Sequence, residues 1–183
     1  RSGQWVDIRG AVRAAVAGTR LYLPGEPLPG AAGPPGPGIV EVTDESTLAA
    51  ARRLGDGAAA LVFASARNPG GGFLTGARAQ EEDIARASAL HACLGAAPAY
   101  YLHHRTSTDL RYSDRVIYSP GVPVFRDDAL RPLDRPHRIA MLTAAAPNLR
   151  AIRASQPHLA ATVPAVLRGR AFRVLEVAAA YGH

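Results

Sequence analysis

Apolar side chains at Ile8, Val12, Ala15 and Val16 recur at the spacing of one helix face, and predict a short amphipathic helix over Val6 to Val16. The stretch from Pro24 to Gly38 is dense in proline and glycine and reads as a loop or linker. It divides the chain into an N-terminal helix with its connection (residues 1–38) and a main domain (residues 39–183). Ile39 to Val42 reads as a short strand. Thr43-Asp44-Glu45-Ser46 then marks a helix start, and Leu48 to Leu54 continues that helix. Ala58 to Ala64 is an apolar run bounded by turn residues, the pattern of a strand buried on both faces. A helix is predicted from Gln80 to Leu94, with its apolar stripe at Ile84, Ala87, Leu90 and Leu94. Val116-Ile117-Tyr118 and Arg138 to Ala144 read as two more buried strands, and Val122 to Phe125 as an edge segment because of Pro123. Leu159 to Tyr181 is helical in character, with interruptions at Pro164 and Gly169. Helices alternating with apolar strands predict an α/β domain: a mixed sheet with helices on both faces. Gly182 stands where a helix C′ glycine belongs, a further strand is expected there, and the domain reads as incomplete at its C-terminal end.

Composition narrows this picture. A chain of 183 residues, 48% of them hydrophobic, suits one globular unit with a substantial core. No apolar run approaches the roughly 20 residues of a membrane span, so no membrane partner is expected. The chain opens Arg1-Ser2-Gly3-Gln4-Trp5, with neither an initiator Met nor the apolar segment of a signal peptide, and reads as a trimmed or internal start. Cys93 is the single cysteine, which excludes an internal disulfide and fits a reducing, cytoplasmic compartment. The formal charge of +6 suggests an anionic partner. All 21 basic residues are arginine and they are spread along the chain, which argues for a phosphate-bearing ligand over a dedicated nucleic-acid stripe.

Candidate chemistry centres on Asn68-Pro69-Gly70-Gly71-Gly72, followed after seven residues by Gln80-Glu81-Glu82. The glycine run leaves the end of a predicted strand and leads to a helix, the edge at which open α/β sheets bind ligands. Glycines there take positive φ and expose N–H groups to phosphate or ribose oxygens. The two glutamates have a structural reading: acidic side chains favour a helix N-terminus by about 0.3–1 kcal/mol. Glu82 would also pair with Arg86 one turn on, for roughly 0.2–0.5 kcal/mol. The glycine run alone is as readily a flexible turn. Loop and carboxylates at a definite spacing favour a site that holds a phosphorylated sugar and hydrolyses its glycosidic bond.

That spacing resembles the signature of the poly(ADP-ribose) glycohydrolases. The surrounding Phe63-Ala64-Ser65-Ala66-Arg67-Asn68-Pro69-Gly70-Gly71-Gly72-Phe73 and Ile117-Tyr118-Ser119-Pro120-Gly121-Val122-Pro123-Val124-Phe125-Arg126-Asp127 resemble the family's bacterial branch. The resemblance covers most of the chain, from about Ile39 onward and more loosely the N-terminal helix. It implies a macrodomain-like fold and hydrolysis of the ribose–ribose O-glycosidic bonds of poly(ADP-ribose), without a cofactor or metal. Glu82 would be the catalytic acid and Glu81 would hold the ribose hydroxyls. Gly70, Gly71 and Gly72 would wrap that ribose and the nearby phosphate, with Gln80 completing the substrate-binding motif by positioning the loop. For Asn68, ligand contact and a bond to its own loop stand as equal readings. The expected partners are poly(ADP-ribose) or other ADP-ribosylated macromolecules, with ADP-ribose as product ligand and the chain a monomer. Members of this family continue past such a C-terminal helix into a strand and a second glycine-rich loop with an aromatic residue that contacts the diphosphate. No such loop matches here, so the resemblance implies a truncated form with impaired catalysis.

Two alternatives keep the fold: removal of mono-ADP-ribose from protein or DNA, and binding of ADP-ribose without cleavage. A plain nucleic-acid binder ranks last. His103-His104 reads as a surface pair rather than a metal site, Cys93 as a buried structural thiol, and Asp127-Asp128 as a turn. Phe125 packs or touches ligand along with Arg126. Trp5, Tyr100 and Tyr101 carry no recognisable spacing.

Overall fold

A computed structural model describes residues 5–30, 38–55 and 57–183. Part of the Pro/Gly linker, residues 31–37, lies outside the described residues. The sheet is built from β1 (Arg20–Tyr22), β2 (Ala59–Phe63), β3 (Val116–Arg126) and β4 (Pro132–Ala144), in the order β1-β3-β4-β2. β3 is antiparallel to both β1 and β4, and β2 runs parallel to β4, so the sheet is mixed. Helices α1 (Arg9–Gly18), α2 (Thr47–Leu54), α3 (Gln80–Ala87), α4 (Leu90–Leu94) and α5 (Pro98–Thr106) precede β3 in the chain. α6 (Leu149–Ser155) and α7 (Val163–Ala180) follow β4. The predicted α/β class, a mixed sheet flanked by helices, is the observed one.

Alternation along the central strands sorts the core into two faces. Ile117, Val122, Val124, Ile139 and Met141 point to one side, where they meet Ile84 of α3, Leu90 and Leu94 of α4, and Tyr100 and Tyr101 of α5. Val116, Tyr118, Ala140 and Leu142 point to the other, against Val174 and Val177 of α7. α2 begins as predicted: Ser46 caps it, its hydroxyl accepting the Ala49 N–H at 3.0 Å. The Asp127-Asp128 turn is also observed, with Asp127 Oδ1 accepting the N–H groups of Ala129 and Arg131.

Several expectations are corrected. β2 is buried on one face only. Ala60 and Val62 enter the core, while Leu61 and Phe63 face outward, Phe63 at 66% exposure. The reason is position: β2 is an edge strand, and α7 packs against β1, β3 and β4 instead. Ile39 to Val42 forms no strand and is exposed. The single helix predicted over Gln80 to Leu94 breaks at Ser88, which turns extended and bridges to Val124. There Ser88 Oγ donates to the Ile84 carbonyl at 2.7 Å and the Ala89 N–H donates to the Pro123 carbonyl at 2.9 Å. That contact also explains why Val122 to Phe125 lies inside β3. Pro123 turns its carbonyl, and with it the side that lacks an N–H, away from β4, where no ladder donor is needed. Neither Pro164 nor Gly169 interrupts α7. Pro164 sits in the first turn, whose N–H groups have no intrahelical acceptor. The N-terminal helix begins at Arg9, where Asp7 Oδ1 accepts the Arg9 N–H. His103-His104 is not a surface pair: His104 is buried, its Nε2 bonds to Ser113 Oγ at 2.8 Å, and burial lowers its pKa to about 4. Cys93 is buried as expected, and burial pushes its thiol up.

Candidate active site

The site forms where β2 ends and α3 begins. Past β2, the Ser65 hydroxyl accepts the N–H groups of Arg67 at 3.2 Å and Asn68 at 3.1 Å, which tightens the chain into a turn. The Asn68 carbonyl accepts the Gly71 N–H at 2.9 Å, and the Gly72 carbonyl accepts those of Thr75 and Ala77 at 3.0 and 3.1 Å. Gly70 and Gly71 have φ of +71° and +61°, the left-handed region that favours glycine. Close approach matters as much as φ. A Cβ on Gly71 would stand 2.2 Å from Glu82 Oε1 and 3.1 Å from Glu81 Oε2, so the loop backbone lies directly on the two carboxyl groups.

Both carboxyls are held by backbone N–H groups. Glu82 Oε1 accepts from Gly72 at 2.9 Å, and Glu81 Oε2 accepts from Ser65 at 2.6 Å. Their surroundings differ. Glu81 is buried, at 3% exposure, whereas Glu82 is half-buried. Burial pushes the Glu81 pKa up to about 7; the Ser65 N–H opposes that rise, and the neighbouring Glu82 charge adds to it.

Gln80 ties the start of α3 to the sheet edge. Its Oε1 accepts the Phe63 N–H at 2.8 Å, while its Nε2 donates to the Leu61 carbonyl at 2.7 Å and to Thr47 Oγ1 at 3.1 Å. The amide thus takes the place of a neighbouring strand on β2 and uses both donors and its acceptor on protein groups. Arg86 does not pair with Glu82. Its guanidinium donates to the Phe73 carbonyl at 3.0 Å and to the Ala77 carbonyl, and it pairs with Asp83 at 3.2 Å, clasping the segment between loop and helix. Arg126 donates to the Arg86 carbonyl at 2.7 Å, with its guanidinium over the Phe125 ring.

The structure therefore brings Gly70, Gly71, Gly72, Glu81 and Glu82 together. It leaves the Asn68 side chain exposed at the outer end of the turn and points Gln80 into the scaffold. Ser65 was missed as a support of the site and Arg86 was expected to pair with Glu82, because both act through backbone groups of a loop whose path is set by tertiary structure.

Adjacent carboxyls in unlike surroundings lie beneath a glycine turn at the end of a parallel strand, in an α/β fold, an arrangement of the kind that enzymes use to divide acid and base roles between two carboxyl groups. The comparisons with known proteins agree with an enzyme of that kind. The family model for the microbial-type PARG catalytic domain matches residues 1–127, which include the whole glycine turn and Gln80-Glu81-Glu82. The chain belongs to this family of microbial-type poly(ADP-ribose) glycohydrolase catalytic domains, which are glycosidases. It is similar to the crystal structure of poly(ADP-ribose) glycohydrolase from Thermomonospora curvata at 53% identity and a TM-score of 0.91, over 100% of this chain and 69% of that one. The T. curvata enzyme bound to the inhibitor ADP-HPD matches at 49% identity and a TM-score of 0.86, over 100% of this chain and 68% of that one. The Deinococcus radiodurans enzyme in complex with ADP-ribose matches at 44% identity and a TM-score of 0.81, over 95% of this chain and 73% of that one. No curated protein matches the sequence.

Proposed function

We propose that this chain hydrolyses the ribose–ribose O-glycosidic bonds of poly(ADP-ribose) and releases ADP-ribose. The observation that carries the reading is the seating of the glycine backbone on Glu81 and Glu82, closer than any side chain would allow. A ribose wrapped by Gly70, Gly71 and Gly72 then lies against both carboxyls. The solved relatives with bound ADP-ribose or ADP-HPD support that class of ligand.

In this reading Glu82 is the general acid and base. Its carboxyl is anchored by Gly72, and the residue is half-buried where Glu81 is buried. Protonated, it donates to the leaving ribose oxygen as the glycosidic bond breaks. As carboxylate, it takes a proton from the water that adds to the anomeric carbon. Glu81 is the ribose anchor: buried and fixed by Ser65, it accepts bonds from ribose hydroxyls. Gln80 serves the substrate by holding α3 in place, and Asn68 borders the ribose from the outer end of the turn. A reducing cytoplasmic compartment suits a chain whose one thiol, Cys93, is buried.

The test is the rate of ADP-ribose release from poly(ADP-ribose), compared with release from mono-ADP-ribosylated protein and DNA. The expected result is release from polymer at the higher kcat/KM. Faster release from a mono-modified substrate, or binding of ADP-ribose with no release from polymer, would contradict the proposal.

A further inference from the structure

Two aromatic rings lie against the glycine turn at Gly70, one residue before the close seating on the carboxyls. Gly70 is buried, at φ +71°. A Cβ there would stand 2.9 Å from Cδ1 and 3.2 Å from Cε1 of Phe73, and 3.4 Å from Cδ2 of His91. The Phe73 and His91 rings also meet each other, with centroids 4.8 Å apart and planes tilted at 54°, within the range that aromatic pairs favour. Phe73 belongs to the loop. Its N–H donates to the Gly70 carbonyl at 3.3 Å, and its own carbonyl accepts from Arg86 at 3.0 Å. His91 comes from α4, whose Leu90, Cys93 and Leu94 are buried in the core. Among the described residues, no hydrogen bond or ion pair engages its imidazole, so ring contact is what His91 offers the turn. A turn with two successive left-handed glycines needs such support, because glycine gives up more backbone freedom on folding than any other residue. The Gly72 N–H nonetheless sits 2.9 Å from Glu82 Oε1.

We propose that His91 is a positioning residue: with Phe73 it braces Gly70, and so keeps Gly71 and Gly72 seated on Glu81 and Glu82. The inference rests on the reading of this turn as the part of the site that wraps the ribose. Because α4 is anchored in the core, the brace passes the rigidity of the core to the loop backbone. Through the Gly72 N–H it reaches the orientation of the Glu82 carboxyl, which is set before substrate arrives. The role lies in the shape and faces of the ring, not in its charge or its hydrogen bonds. His91→Phe therefore keeps it and His91→Ala loses it.

Backbone hydrogen exchange, followed by NMR in the ligand-free full chain, tests this without any need for turnover. In His91→Ala, exchange at Gly71 and Gly72 is expected to speed by about fivefold or more, while the sheet amides of Val62 and Leu142 exchange as before. His91→Phe returns both glycines to within about twofold of the unmodified rate. Phe73→Ala speeds them as His91→Ala does, and the double variant goes little further than either single one, because the two rings act as one unit. In step with this, kcat for ADP-ribose release falls about tenfold in His91→Ala, with a smaller change in KM, and recovers in His91→Phe. Unchanged exchange at Gly71 and Gly72, equal speeding throughout the sheet, fully additive effects of the two substitutions, or no recovery in His91→Phe would overturn the assignment. If the unmodified chain releases no ADP-ribose, the reading of the site fails, while the exchange rates still decide whether His91 braces the turn.

Discussion

A methyl group at position 71 would lie 2.2 Å from Glu82 Oε1, on a backbone at φ +61°. Gly71→Ala therefore forces the carboxyl or the loop to move, and adds left-handed strain of about 1–2 kcal/mol. Displacing a catalytic group by about an ångström is enough for a loss on the order of 100-fold. We expect Gly71→Ala to fold with a modestly lowered Tm and to release ADP-ribose at least that much more slowly, and near-normal turnover would refute the close seating. Glu81 makes a second residue-scale prediction. Its ordinary value of 4.5 rises to about 7 in the fold through burial, opposed by Ser65 and reinforced by Glu82. The folded chain thus binds this proton more tightly than the unfolded chain does. The resulting stability is complete below about pH 4.5 and is lost as pH rises through 7, up to about 3 kcal/mol in all. Urea midpoints across about pH 4 to 8 should show this fall in the unmodified chain and not in the neutral isostere Glu81→Gln; parallel profiles would contradict it.

Between β2 and α3 the decisive contact is a side chain acting as a strand. Gln80 binds the Leu61 carbonyl and the Phe63 N–H, and so sets where Glu81 and Glu82 begin relative to the loop. Gln80→Ala is expected to lower stability by about 1–2 kcal/mol, since water replaces part of the bonding at this edge. It should also speed hydrogen exchange at the Phe63 amide and reduce kcat while the chain stays folded. Unchanged exchange and kcat would remove Gln80 from the scaffold. These elements also show what the sequence conveyed. The Ser46 cap, the glycine turn and the Gln80-Glu81-Glu82 helix start are written in neighbouring residues, and each formed where expected. The break at Ser88 depends on a β3 carbonyl 35 residues further along, at Pro123. β1 is three residues long and exists through its pairing with β3, and α5 buries His104 against Ser113. None of these carries a local signal. The site follows the same division: Gly70 to Gly72 and both glutamates were legible as a spacing, whereas Ser65 and Arg86 make their contacts only through the folded path.

At the scale of the molecule, the end of β2 leads into the glycine turn and the sheet is packed on both faces behind it. α7 secures the opposite face through buried arginines. Arg170 pairs with Asp114 at 3.1 Å and reaches the Ala145 carbonyl, while Arg173 donates to the carbonyls of Leu23 at 2.9 Å and Glu26 at 2.7 Å. Part of the positive charge that suggested an anionic partner is thus engaged inside the fold, at Arg170 and Arg173. The central claim is that the folded chain cleaves poly(ADP-ribose) through Glu82. It is tested most directly by ADP-ribose release from polymer in the unmodified chain and in Glu82→Gln, with ADP-ribose binding of both measured by calorimetry. The account predicts release by the unmodified chain, a fall of about 1,000-fold or more in the variant, and binding retained in both. Release by Glu82→Gln at near the unmodified rate would contradict it.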